Sequence, residues 1–143
     1  DVFRQAALKA LDTLSRNPDG FFLMIEGSNI DKAAHSNNLE EMMEELLDFD
    51  RTAGAVLDWA SKHPGTLVVI TADHNTGAFA LTGGSREKGE ITARFGSGSH
   101  DGVAVPVYAF GAGSGAFTGI YENTAIFSKI MDAFKKGAGK PVR

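Results

Sequence analysis

Three apolar runs of strand length set the terms for this chain: "FFLMIE" at 21–26, "TLVVITAD" at 66–73 and "VAVPVYAFG" at 103–111. Each is continuously apolar and each gives way to polar residues, the pattern of strands covered on both faces. Helical periodicity fills the intervals. Phe3, Ala7, Leu11 and Leu14 recur at helical spacing near the start. Leu39, Met42, Met43, Leu46, Ala53, Val56 and Ala60 form a second stripe, with Glu40, Glu41, Glu44, Glu45 and Asp48 largely outside it, and "HPG" at 63–65 ends that helix. A last helix starts with Asn123 as its cap, is expected to bury Ile126, Phe127, Ile130, Met131 and Phe134, and closes at Lys135, Lys136 and Gly137. Strands alternating with helices predict an α/β fold: three layers, α/β/α, around a mostly parallel sheet whose ligands bind beyond the carboxyl ends of the strands. The segment "TGGSREKGEITARFGSGSH" at 82–100 reads as a mobile loop with one short strand at 91–95.

The 143 residues, 43% hydrophobic, suit one ordinary domain. A net charge of −4 without a dense Lys/Arg block argues against a nucleic-acid or anionic-membrane partner and suits a site that gathers cations. There is no cysteine, so zinc, if bound, must sit on histidine and carboxylate ligands. The apolar runs fall far below the ~18 residues of a membrane span. The chain opens inside a helix, with neither an initiator Met nor a cap, which is expected of a partial domain spanning 1–143; residues 137–143 are expected to be a flexible tail.

The chemistry-bearing residues gather where these runs end. Glu26 closes the first run, and Asp73 and His74 close the second. Asp31 and His35 are spaced i, i+4, one turn apart on a helix beginning near Ile30, so that both can grip one ion. His100 follows a flexible "GSGS" from which it can swing over the same crevice. One carboxylate and two imidazoles with an open fourth position make the ligand set of a catalytic zinc. Asp73 and His74 can share an ion only if the backbone leaves the sheet there, a departure that the following "NTG" favours. Glu26, a hard oxygen ligand with no imidazole beside it, suits Mg²⁺. Taken singly, Asp31 is equally a helix N-terminal carboxylate, Asp73 a turn cap, and His35 or His100 a surface residue. The coincidence of three of the four histidines, each near a strand end or glycine hinge, favours a site.

"EGSNIDKAAHSNN", then "VVITADHNTG", then a late His before "VPVYAFG" resemble the alkaline phosphatase family, from about Asp19 to Phe134 and only its carboxyl-terminal half. The resemblance implies a phosphomonoesterase with two zinc ions and one magnesium, transferring phosphate to an enzyme serine and then to water. By matched motif, Asp31, His35 and His100 would hold the first zinc, Asp73 and His74 the second, and Glu26 the magnesium. Lys32 matches a lysine that some bacterial members place near the phosphate. A periplasmic or secreted parent, phosphate monoester substrates, and either a homodimer or the missing upstream half as partner are likewise what the resemblance implies.

The sequence departs from the family pattern in one decisive respect: no Asp-Ser-Ala nucleophile motif occurs, and Ser28, Ser36, Ser97 and Ser99 lack that context. The third ligand of the second zinc, the magnesium's Asp and Thr partners and the phosphate-clamping arginine are missing too. No catalytic nucleophile is therefore assigned, and the chain alone is expected to turn over weakly or not at all. The alternatives are a metal- or phosphate-binding fragment or shortened relative without chemistry, or another hydrolase of the wider superfamily such as a sulfatase, phosphodiesterase or phosphoglycerate mutase.

Overall fold

The computed structural model describes residues 2–137 and contains four helices, α1 (Val2–Leu14), α2 (Ser28–His35), α3 (Leu39–Ser61) and α4 (Ala125–Gly137). It also contains six strands: β1 (Leu67–Thr71), β2 (Asn75–Thr76), β3 (Ala80–Ser85), β4 (Glu90–Arg94), β5 (His100–Asp101) and β6 (Val107–Gly111), with a 3₁₀ turn over Ser114–Phe117. Apart from Gly137, which closes α4, the expected tail lies outside the described residues. The chain divides into two units. One comprises residues 1–25, 51–71 and 106–143, and the other residues 26–50 and 72–105.

The first unit holds α1, the second half of α3, β1, β6, the 3₁₀ turn and α4. Its buried residues include Ala7 and Leu11 of α1, Ala60 of α3 and Phe117 of the turn, and Phe21 meets the Trp59 ring edge-on at 6.3 Å. β1 and β6 pair antiparallel, from Leu67 opposite Gly111 to Thr71 opposite Val107. This is one of three two-stranded sheets among the described residues, all antiparallel, so the mostly parallel, three-layer sheet expected from the sequence is not what these residues form.

The run at 21–25 shows why. It alternates half-buried and exposed residues, as an extended chain does, but no described strand pairs with it, and Phe22 and Met24 are 62% and 76% exposed. Continuous apolarity records what a segment can bury, while a ladder also needs a neighbour that supplies N–H and C=O groups. The same holds for α4, where Phe127, Met131 and Phe134 are exposed rather than core residues, and for Leu46 in α3. The end of α3 is as expected: it stops at Ser61, and His63 stacks on Trp59 with ring centroids 3.7 Å apart while its Nδ1 donates to the Trp59 carbonyl at 2.7 Å.

The second unit holds α2, the first half of α3 and strands β2 to β5. Ala33 and Ala34 of α2 pack with Met42 of α3 into a small core lined by Ile30, Leu39, Phe79 and Phe95. Asn38 caps α3, accepting the Glu41 amide at 3.2 Å and donating its own side-chain amide to the Glu41 carboxylate at 3.0 Å. The segment expected to be a mobile loop with one strand contains the β3–β4 hairpin, which has an irregularity between Leu81 and Gly83. "TGGS" looks like a turn, but Gly84, at φ +151, lies in a strand where a Cβ would strike the Glu90 carbonyl, so glycine there permits close strand approach.

Candidate metal centre

All the residues of the site lie within the second unit. α2 runs from Ser28 to His35, and its last turn is held by the burial of Ala33 and Ala34, which turns the adjoining helix face toward the β2–β5 segment. Asp31 and His35, one turn apart, come together with Asp31 Oδ2 3.4 Å from His35 Nε2. The backbone leaves the sheet at Thr71, bends through 72–74, and re-enters a two-residue ladder in which Thr76 lies opposite His100 and Asn75 opposite Asp101. Gly77, at φ +79, makes the turn out of that ladder. Its N–H donates to Ser99 at 2.9 Å, its carbonyl accepts from Gly96 and Ser97, and a Cβ there would lie 2.8 Å from the Phe95 ring.

This local geometry delivers His100 onto α2. His100 Nε2 lies 3.0 Å from His35 Nε2 and 3.6 Å from Asp31 Oδ1. His74 stacks on His100 with ring centroids 3.5 Å apart, and Asp31, His74 and His100 offer ligand atoms that all lie within 4.8 Å of one another. Four of the residues singled out in the sequence thus form one continuous cluster, with Asp73 at its side through a 3.2 Å approach of Oδ2 to His74 Nε2. Glu26 is exposed and joins no hydrogen bond or ion pair of this cluster among the described residues. Lys32 is also exposed, its Nζ donating to Asn29 Oδ1 at 3.1 Å. No serine hydroxyl among the described residues bonds a histidine: Ser36 donates to the Lys32 carbonyl and Ser97 to that of Ser99.

The hydrogen bonds around the cluster set its proton positions. His35 Nδ1 donates to the Gly98 carbonyl at 2.8 Å, so in the neutral ring the lone pair sits on Nε2 and points into the cluster. Thr76 gives its only hydroxyl proton to Asp31 Oδ1 at 2.5 Å, so in its 3.2 Å bond with His74 the ring Nδ1–H is the donor. His74 Nε2 is then also a lone pair, and it faces the Asp73 carboxylate. The His35 Nε2 lone pair can accept a proton from His100 Nε2, 3.0 Å away, in the metal-free chain, or hold a cation in its place. Ligand atoms on a tetrahedral zinc at ~2.0–2.1 Å lie about 3.3 Å apart, and the approaches of His35 Nε2 to His100 Nε2 at 3.0 Å, of His35 Nε2 to Asp31 Oδ2 at 3.4 Å and of His100 Nε2 to the other carboxylate oxygen, Oδ1, at 3.6 Å are of that order. The donor set therefore fits a divalent cation with a preference for nitrogen and oxygen ligands.

Electrostatics favour the ionised carboxylates. The Thr76 hydroxyl holds the Asp31 carboxyl below its ordinary value against the opposing effect of burial, with His35, His100 and His74 adding to the lowering. Asp101 is also lowered, first by the Val103 N–H and then by Asn75 and the Ala78 N–H. Thr76, Asn75, Gly98 and Asp101 were not singled out from the sequence. Asn75 and Thr76 directly follow His74, and Asp101 directly follows His100, so adjacency to a ligand-type residue was the signal present.

An imidazole–carboxylate cluster on an α/β frame offers the donor set that metal-binding proteins use, and comparison with known proteins narrows the class. A model of the alkaline phosphatase family matches residues 3–96. Alkaline phosphatase 4 of Bacillus subtilis is 45% identical over 85 residues, 59% of this chain and 18% of the relative. Streptomycin-6-phosphate phosphatase of Streptomyces griseus is 35% identical over 131 residues, 80% of this chain and 29% of the relative. A structure of a variant of TAB5 alkaline phosphatase with Mg bound superposes with a TM-score of 0.83 at 40% identity, over 91% of this chain and 40% of that one. The chain belongs to the alkaline phosphatase family, and it spans less than half the length of each of these relatives.

Proposed function

We propose that this chain carries the metal-binding wall of a phosphomonoester hydrolase of the alkaline phosphatase type, as part of a single larger domain. The observation that carries the reading is the approach of His35 Nε2 and His100 Nε2 to each other and to the two oxygens of the Asp31 carboxylate, Oδ2 and Oδ1 respectively, with the His35 tautomer fixed by the Gly98 carbonyl. In this assignment Asp31, His35 and His100 hold one zinc, Asp73 and His74 contribute to a second, and Glu26 contributes to a magnesium. When bound, such ions supply Lewis-acid stabilisation of the entering and leaving oxygens in phosphoryl transfer.

The chain's own residues do the rest. Gly98 and Thr76 fix which nitrogen of His35 and His74 faces the site, while Asp31 and Asp73 supply the negative charge that draws cations in. Lys32, at the exposed surface of α2, is proposed as a contact for a phosphate oxygen, so that Lys32→Ala should raise KM more than it lowers kcat. A periplasmic or extracellular location, and assembly with the rest of the domain or with a second copy, belong to the same proposal. So does a mostly parallel, layered sheet in the whole domain.

The test is zinc content by mass spectrometry after dialysis against a weak chelator, with hydrolysis of a monoester, a diester and a sulfate ester by the full-length protein. Zinc that is lost in Asp31→Ala and His100→Ala, together with preference for the monoester, is expected. Retention of zinc by both variants would overturn the ligand assignment. Tight zinc without ester hydrolysis by the full-length protein would favour the second reading, a metal-binding part without turnover, which the lack, among the described residues, of a serine hydroxyl bonded to a histidine supports.

A further inference from the structure

The β2–β5 ladder that brings His100 beside α2 has only two residue pairs, Asn75 with Asp101 and Thr76 with His100. So short a ladder offers little backbone bonding to hold its register, and a slip of one residue would turn His100 to the opposite face. The side chains of the first pair supply what the backbone does not. Asn75 Nδ2 donates to both carboxylate oxygens of Asp101, at 3.1 Å to Oδ1 and 2.9 Å to Oδ2. The Val103 N–H donates to Oδ1 at 3.0 Å and the Ala78 N–H to Oδ2 at 3.0 Å. Asp101 thus ties together the backbone just after Thr76, the backbone just after itself, and the side chain across the ladder.

We propose that Asn75 and Asp101 are a positioning pair, a side-chain clamp on one face of the ladder that sets the register by which His74 and His100 meet Asp31 on the other side. Asn75 immediately follows His74 and Asp101 immediately follows His100, so the clamp joins the two histidine-bearing segments one residue from each ring. The chemistry demands a carboxylate at 101. N–H donors reach both of its oxygens, so an amide in its place would turn an NH₂ toward either the Val103 or the Ala78 N–H, whichever way it flipped. As an account of zinc affinity the clamp rests on the function proposed above; as an account of where the histidines lie it does not.

The experiment uses the isotope-labelled chain without metal, as wild type, Asn75→Ala and Asp101→Asn. It reads the nuclear Overhauser contact between the His74 and His100 rings, and then zinc affinity by competition with a chromophoric chelator. The wild type should show the ring contact and both variants should lose it, with the β3–β4 cross-strand contacts intact as evidence that the unit is folded. Zinc should bind about 10–100-fold more weakly in both, the usual effect of losing a group that orients ligands. If Asp101→Asn unfolds the unit, Asn75→Ala gives the reading, since it leaves both backbone bonds to Asp101 in place. A ring contact absent from the folded wild type, or retained in the variants, overturns the clamp. A wild type that binds no zinc but loses its ring contact on substitution would sink the proposed function and leave the clamp standing.

Discussion

Thr76→Val tests the cluster with the least change of shape. Thr76 is buried, at 8% exposure, and valine replaces its hydroxyl with a methyl group of similar size. The hydroxyl donates to Asp31 Oδ1 at 2.5 Å and accepts from His74 Nδ1 at 3.2 Å. A hydrogen bond to a charged group contributes ~1.5–3 kcal/mol. The Asp31 side chain is 38% exposed, so water can replace part of that bond, and a net loss of about 1 kcal/mol in the metal-free chain is the expected magnitude. The same hydroxyl is the main cause of the lowered Asp31 pKa, so its removal should bring that pKa back toward the ordinary value and shrink the stability lost in acid, the variant's deficit being present at neutral pH and fading as pH falls below 3.8. With the His74 ring no longer held at Nδ1, zinc affinity should fall about 10-fold or more. Urea melts across a pH series and chelator competition would measure these effects, with Thr76→Ser as the control that restores the hydroxyl. Wild-type acid behaviour and zinc affinity in the valine variant would refute the proton assignment on which the lone-pair argument depends.

Other outcomes follow from the same contacts. Asp31 and Asp101 both have lowered pKa values, so the stability they contribute to the metal-free chain should be fully present above the ordinary value of 3.8 and lost as pH falls through their lower folded values, which pH-dependent circular dichroism would follow. Gly77→Ala should cost at least ~1–2 kcal/mol for a left-handed backbone, with more from the approach to Phe95, and urea denaturation would show that loss against a gain of about 0.5–1 kcal/mol for Gly54→Ala, in the interior of α3 where the site is open. The exposed Tyr108 and Phe110 beside an unpaired strand edge, and the exposed Phe127, Met131 and Phe134, should make the isolated chain self-associate. A monodisperse monomer by light scattering would refute that.

Helices were more legible than strands for a physical reason. An α-helix satisfies its backbone within a contiguous segment, so the stripe from Leu39 to Ala60 was enough to place α3. A strand is completed by another segment, and the sequence of a strand does not say which. The apolar runs around 67–71 and 107–111 were therefore read correctly as strands, but within the mostly parallel sheet expected from the sequence their antiparallel pairing was not foreseen, while 21–25 was read as a strand and is unpaired among the described residues. The β3–β4 hairpin was hidden by Gly83 and Gly84, whose turn-like look conceals a close strand approach.

The site divides along the same line. Asp31 and His35 could be joined on paper because i, i+4 on a helix is a distance as much as a spacing. The resemblance assigned His74 and His100 to different ions and said nothing of how the two meet; in the structure their rings stack at 3.5 Å and Thr76 links His74 to Asp31. No periodicity could have shown that link, because it spans 45 residues and runs through a hydroxyl that is neither a metal ligand nor a charged group. The residues that organise the cluster are those whose chemistry is least conspicuous in the sequence: a threonine, an asparagine and a glycine carbonyl. They matter because a histidine can present only one lone pair when neutral, and the bond made by its other nitrogen decides where that pair points. The candidate ligands could thus be picked out by residue type, but which nitrogens of His35 and His74 face the cluster depends on Gly98 and Thr76, which only the folded backbone brings beside them.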